Sequence, residues 1–448
     1  MSFRKHRRLP GITRRSSRPG RESDLSTVHF YVRMTAIFMF VVLSGFCSGI
    51  FVERFVINGS AADSSGKSDL EAVSSVIEEN YYYRPTDSAD EAAFQEGLER
   101  NAIDGMLTSL DDRYTRYLLP EDAQIASDQL EGEYGGIGVT LEPVDGLLIV
   151  SRIDPDTPAS RGGLVTGDVI QRIDNRLVNE QGDPTLTGDL RGPVGSPVTL
   201  LIQRPGVKEP LNVSMVREAI IVHPVSFEMI RGTTYARIRI DIFGNRTTEE
   251  LDVAIGLAKT RRVTGIIIDL RGNGGGWVTS AQETVGRFLS EDAGPALFED
   301  VNPGRGGEYE LPIINPADGP TDMPIIVLVD KNTASAAEIV AGSLRDYDRA
   351  LVVGEQTFGK GSVQRIFDFD DGASLRVTVA EWITPSKGRI QDEGIRPDVI
   401  VDQSAYGSTS GDPFVKAAVT MLDSGVSRPT HLANQGANPG TPVITSER

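Results

Sequence analysis

Between residues 69 and 110 the apolar positions recur at helical spacing. Leu70, Val73, Val76 and Ile77 share one face, and Ala92, Ala93, Leu98, Ala102, Ile103, Met106, Leu107 and Leu110 repeat the pattern, so residues 69–131 are predicted to be a small helical domain. From residue 132 the spacing shortens and glycine becomes frequent. YGGIGVTLE, LLIVSRI, VIQRID and SPVTLLIQRP predict short strands, joined by a Gly-Leu-x-x-Gly-Asp turn at Gly163–Asp168 and a helical patch near Asp189 and Leu190, which makes residues 132–217 a compact β-rich module. Residues 218–402 then alternate strand and helix: TYARIRIDIF, TTEELDVAIGLAKT, GIIIDL, TSAQETVGRFL, PIIVLVD and NTASAAEIVAGSL. Strands apolar on both faces must be covered on both sides, so this order predicts an α/β core with a largely parallel sheet. Residues 403–424 carry one last helical pattern, and 425–448 are expected to lack regular structure.

The N-terminal end has a different pattern. Residues 1–33 hold nine Lys/Arg against two Asp/Glu, and MTAIFMFVVLSGFCSGIFV at 34–52 has no charge over 19 residues. At about 1.5 Å per residue that run just crosses a hydrocarbon core. Residues 34–53 are read as an uncleaved transmembrane anchor with its basic end in the cytoplasm, or as a secretory signal segment; the length of the run favours the anchor. A Gly/Ser/Asp-rich linker follows at 54–68. Either reading exports the body of the chain, to the periplasm or cell exterior of a bacterium.

Charge and histidine content narrow the chemistry. The chain of 448 residues has a formal charge of -18, so with its basic leader set aside the remainder is still more acidic, and nucleic acid is not an expected partner. Of four histidines only His223 falls in the interior, and Cys47, the single cysteine, lies in the apolar run. No histidine-based hydrolase, cysteine protease, zinc site or intrachain disulfide is expected, and no cofactor or metal is predicted.

Active sites of open α/β sheets lie at the carboxyl ends of strands, and three loops have that placement. Arg271–Gly276 after GIIIDL is a glycine run able to point backbone N–H groups at an anion, or simply a tight turn. Ser335 follows PIIVLVD; Ser335-Ala-Ala-Glu338 matches a capping box, yet a serine at such a turn is also placed for nucleophilic attack, with the Ala336 N–H able to donate to an oxyanion. Gly354–Gly361 mimics a phosphate loop, but it precedes strand-like residues and Gly361 stands where a magnesium-binding hydroxyl belongs. Its Lys360 is either a solvated turn residue or something rarer. Lysine is scarce here, eight residues against 37 arginines. Without histidine, a serine can be activated by a lysine that burial keeps neutral, and Gln364, four residues on, could orient that amine.

TASAAEIVAGSL, GEQTFGKGSVQ and LRGNGGG together resemble the C-terminal processing peptidases, or tail-specific proteases, which are serine peptidases with a Ser-Lys dyad. The likeness runs from about residue 69 to 424. It includes YGGIGVTLE and the Gly-Leu-x-x-Gly-Asp turn, similar to that family's PDZ domain, and TPSKGRIQDEGIRPDV, similar to its closing motif. The resemblance implies a ClpP/crotonase-like α/β core at 218–402 with an inserted PDZ domain at 132–217. It implies Ser335 as nucleophile, Lys360 as general base and Gln364 as the residue orienting it. The oxyanion donors would be Ala336 and Gly275, with Gly276 as the fallback. In the PDZ domain Gly136, Ile137, Gly138 and Val139 would receive a peptide's C-terminal carboxylate, with an apolar pocket beside Leu190. Expected partners are peptides or proteins with apolar C-termini and, through residues 34–52, a membrane; a homo-oligomer is left open. A catalytically silent PDZ adaptor or chaperone is the competing reading. Two departures stand out: Gly274 replaces the family's usual proline, and LDDRYTRYLLPED differs from its usual helical-domain motif.

Overall fold

The computed structural model describes residues 69–178, 188–301, 307–401, 411–426 and the strand Val443–Ile444. The basic leader, the apolar run 34–52 and the linker lie outside them. Among the described residues no helix is long and apolar enough to cross a membrane. The chain divides into two compact units at Ile103/Asp104.

In the first unit the helix Asp69–Asn80 and most of the helix Ser88–Thr108 bury none of their side chains. Their connection is held locally: Tyr81 stacks on Phe94 with ring centroids 5.8 Å apart, and Arg84 pairs with Glu91.

The second unit begins with a departure from the helical expectation for 69–131. Arg116–Leu118 is a strand, because it finds an edge to pair with: Arg116, Tyr117 and Leu118 lie opposite Arg376, Leu375 and Ser374 of the strand Ser374–Ile383. Proline opens the helix Pro120–Glu131 and Gly132, at φ 77, closes it. The ribbon Glu133–Gly136 with Glu218–Ile221 then leads into and out of a β-rich module. Its antiparallel strands run in the order Val139–Val144, Leu147–Ile153, Val169–Ile173, Pro197–Gln203, Leu211–Val216. Alternation along Pro197–Gln203 buries Val198, Leu200 and Ile202 against Leu148, Val150 and Ile170. The Gly163–Asp168 turn is fixed by the buried Asp168 carboxylate, which accepts from Arg204 Nε at 2.8 Å and from the Val165 amide at 2.9 Å.

The remaining residues build the α/β core. Val225–Met229 pairs antiparallel with Tyr235–Ile240, which is followed by parallel strands Gly265–Asp269, Ile325–Val329, Ala350–Gly354, Val399–Val401 and Val443–Ile444. The last lies in the tail expected to be without structure; two residues there find partners in Ile400 and Val401. Successive residues of a strand face opposite ways, and the packing follows that parity. Ile266, Ile268, Val327 and Val352 face a core shared with the helices Thr247–Thr260, Val278–Gly286 and Ala336–Asp346. Ile267, Ile326, Leu328, Leu351 and Val353 face the helix Pro413–Asp423 through Phe414, Ala417, Ala418 and Leu422. A second sheet is built on Ser374–Ile383, with Ser362–Asp368 along one edge and Arg116–Leu118 and Pro295–Val301 along the other.

Candidate active site

All three loops singled out in the sequence leave carboxyl ends of adjacent parallel strands, so the sheet sets them side by side. Hydrogen bonds join them. The Ala334 amide donates to the Asn273 carbonyl (2.9 Å), the Phe358 amide to the Thr333 carbonyl (3.0 Å), and Thr333 Oγ1 to the Leu270 carbonyl (2.9 Å).

Ser335 precedes the helix Ala336–Asp346 at φ 56, ψ -121. A non-glycine residue held there costs about 1–3 kcal/mol, so the surrounding bonds must impose the turn. One is the reach-back half of the capping box: the Ser335 amide donates to Glu338 Oε2 at 2.8 Å. The same oxygen receives the Lys360 amide at 2.9 Å, while Oε1 receives the Gly359 amide at 2.7 Å and Thr357 Oγ1 at 2.5 Å. Glu338 is fully buried, and that burial pushes its carboxyl pKa up against the pull of the four donors.

Lys360, Ser362, Gln364 and Ile366 line one cavity of about 410 Å³ together with Ser335. Lys360 Nζ sits 5.4 Å from the centroid of the Tyr114 ring and makes no hydrogen bond to Ser335 Oγ among the described residues. Burial, and then the positive charges of Arg116 and Arg376, hold its pKa below the usual lysine value. Gln364 Nε2 donates to Ser362 Oγ at 2.7 Å and to Thr378 Oγ1 at 3.5 Å, not to or from the lysine.

The glycine loop is anchored at both ends. At its start, Arg271 Nη2 meets the fully buried Asp269 at 2.6 Å and Asp412 at 2.7 Å, and Asp412 caps the C-terminal helix through the Phe414 amide (3.0 Å). Further along, Asn273 is fully buried; its Nδ2 donates to the Ile240 carbonyl at 2.9 Å and its Oδ1 receives the Gly275 amide at 2.8 Å. Gly275, first choice of the sequence for an oxyanion donor, therefore has its N–H engaged. Its contribution is steric: at φ 108, a Cβ there would lie 2.7 Å from Ser335 Cβ. The amides of Ala336 and Gly276 have no acceptor among the described backbone bonds.

The model of peptidase family S41 matches residues 234–401, and a PDZ domain model matches residues 135–215. A carboxy-terminal-processing protease of Bartonella bacilliformis is 37% identical over 314 residues, 68% of this chain and 70% of that protein. The chain belongs to peptidase family S41. It is a peptide hydrolase with an α/β core and a PDZ domain. A probable CtpA-like serine protease of Staphylococcus aureus (strain COL) is 31% identical over 367 residues, 82% of this chain and 71% of that one. The solved photosystem II D1 C-terminal processing protease is 25% identical at a TM-score of 0.42, covering 84% of this chain and 95% of its own.

In the PDZ domain of this S41 peptidase, Ile137, Gly138 and Val139 border a small cavity of about 130 Å³ with Tyr134, Leu190 and Arg191. Gly136 instead ends the entry strand opposite Glu218. Gly138, at φ 76, has the Thr157 side chain 2.4 Å from where a Cβ would stand, so a larger residue would shut the loop.

Sequence reasoning passes over four residues of this site. Glu338 reads as a helix cap and not as the tie to the lysine loop. Asn273 has one signal, an amide side chain two residues before the amide it holds. Arg116 and Arg376 have none, since they meet only through strand pairing.

Proposed function

We propose that Ser335 is the nucleophile of this S41 peptidase and Lys360 its general base. The observation that carries the reading is the shared carboxylate of Glu338, which binds the amides of both residues and so brings a strained serine and a lysine of lowered pKa to one cleft. In the reaction the neutral Lys360 amine swings from Tyr114 toward Ser335 and takes the Oγ proton as Oγ attacks the peptide carbonyl. The oxyanion is met by the Ala336 amide and by a loop amide: that of Gly276, which is unengaged among the described backbone bonds, or that of Gly275 once it leaves Asn273 Oδ1. The lysine ammonium then protonates the departing amine. The same lysine next removes a proton from water as its oxygen attacks the acyl carbonyl, and returns that proton to Ser335 Oγ as the ester bond breaks, which frees the acid product and restores the enzyme. Gln364, in the same cavity, limits the positions open to the lysine side chain.

The PDZ domain captures the carboxyl end of a protein at Ile137–Val139, with an apolar terminal side chain beside Leu190, and delivers it to the cleft. The enzyme works outside the cytoplasm, held by the run at 34–52. Incubation with an unfolded protein ending in an apolar residue tests this. Wild type cleaves it and forms a mass adduct on Ser335 after acid quench; Ser335→Ala and Lys360→Ala do neither. Lys360→Arg is equally inactive, because a guanidinium does not give up its proton near neutrality. Cleavage by Ser335→Ala would remove the proposal.

A further inference from the structure

Two arginines face each other across a strand pair in the catalytic cleft: Arg116 lies directly opposite Arg376. Like charges placed opposite one another in an antiparallel pair destabilise it. Both line the cavity that holds Ser335 and Lys360, so three cationic side chains share one wall system of about 410 Å³. Among the described residues none of the three is ion-paired, although the charge of Glu338 acts on Lys360. Asp241, the one acidic residue lining that cavity, is ion-paired with Arg239 at 2.6 Å. Glu338 is engaged by four donors, and Asp112 accepts from Thr115 Oγ1 at 2.6 Å and from the Tyr114 amide at 2.9 Å. Neither arginine has a side-chain ion pair or hydrogen bond among the described residues, and Arg376 Nε is buried without a partner. A buried donor without an acceptor is costly and is relieved when a ligand brings the acceptor in.

We infer that Arg116 and Arg376 form a carboxylate-binding subsite of the peptidase cleft, which selects substrates carrying a negative charge close to the scissile bond. The inference rests on Ser335 and Lys360 being the catalytic pair. Guanidinium groups suit such a subsite, since each offers N–H donors in a planar fork matching a carboxylate, and two together can hold both oxygens. The carboxylate is an Asp or Glu side chain of the peptide or its free C-terminal end; both present the same two oxygens. The pair also bears on the base, because both charges help keep Lys360 below its usual pKa and a bound carboxylate offsets them. Arg376 is itself held low by burial and by Arg116, as expected of cations crowded together without an anion.

A set of quenched fluorescent peptides tests this, with Gln replaced by Glu at one position at a time on both sides of the cleavage point, each made as C-terminal acid and amide. Wild type is expected to favour Glu at one position by roughly tenfold in KM. Arg376→Gln and Arg116→Gln bring that ratio toward one. Arg116→Glu inverts it in favour of a Lys-containing peptide, and relieves like-charge repulsion in the strand pair, so its thermal unfolding temperature does not fall. A preference that follows the free acid and not Glu assigns the subsite to the peptide terminus; one that follows Glu assigns it to a side chain. Equal KM for all peptides in wild type, or a ratio unchanged in both Gln variants, overturns the subsite while leaving the catalytic pair standing. Residual cleavage by Ser335→Ala strikes the catalytic pair instead.

Discussion

The amides of Ser335 and Lys360, 25 residues apart in sequence, donate to the same oxygen, Glu338 Oε2, at 2.8 and 2.9 Å. The two loops bearing the proposed nucleophile and base are therefore positioned by one atom. Glu338→Gln keeps the shape but turns one oxygen into a donor, which must then face donors. Each oxygen now serves two, so either amide orientation leaves a clash. The expected result is a loss of about 1–3 kcal/mol in stability by urea denaturation, from buried groups left unpaired. A fall in kcat of roughly a hundredfold accompanies it, as for a displacement on the order of 1 Å. An unchanged kcat would show that the loops hold their register without this carboxylate.

Lys360 makes two pH predictions of the same sign. Its folded-state pKa lies below the unfolded value, about 10.4, mainly through burial. The neutral, competent fraction rises with pH through the lowered pKa, so kcat/KM climbs with pH and then levels when chemistry limits the rate. Stability moves with it. Below the lowered pKa the folded state carries a buried ammonium that water would hold better; this penalty shrinks as pH rises from the lowered pKa to about 10.4 and is absent above. Lys360→Met is thus expected to unfold at a higher temperature than wild type at neutral pH, by about 2–4 °C per kcal/mol relieved, with the gap closing toward pH 10. Calorimetry across that range checks it.

Gly275→Ala places a methyl group 2.7 Å from Ser335 Cβ, on a backbone at φ 108 that alanine resists. The serine must shift, and kcat is expected to drop by roughly a hundredfold or more with KM little altered. Peptide binding to the PDZ domain, read by fluorescence anisotropy, stays at the wild-type level.

Removing the anchor of the glycine loop acts on the fold. Arg271→Met leaves the Asp269 carboxylate, fully buried, with Arg237 and Arg239 at 3.6 and 3.8 Å and the backbone amide of residue 271 at 3.2 Å, and leaves Asp412 with Arg237 at 3.7 Å as its remaining cation. Breaking a buried pair by deleting one partner costs about 3–5 kcal/mol. Chemical denaturation measures the loss, and hydrogen exchange locates it in the helix Pro413–Asp423, whose cap Asp412 no longer meets Arg271.

What the sequence disclosed follows the range of the forces involved. The apolar strands Gly265–Asp269 and Ile325–Val329 and the loops after them are local patterns, and Ser335, Lys360 and the glycine run are legible there. The short strand Arg116–Leu118 is not, since three residues carry no period and exist as a strand only because Ser374–Arg376 offers an edge. For the same reason the pairing of Arg116 with Arg376 could not be anticipated. Motif position alone points to Gly275 as an oxyanion donor. Which amide is free depends on where Asn273 points its side chain, and that is decided by the Ile240 carbonyl at the end of another strand.

The positive φ of Ser335 also restricts which residues can stand in for it. Threonine would keep the hydroxyl, but its branched Cβ is poorly tolerated at φ 56, so the exchange that looks mildest on paper removes the backbone turn along with the reaction. Cysteine has no branch and fits the turn. A thiol at position 335 therefore gives chemists a handle at the proposed nucleophile's position, through which a bound peptide can be tethered by a disulfide and its path from the PDZ domain traced residue by residue.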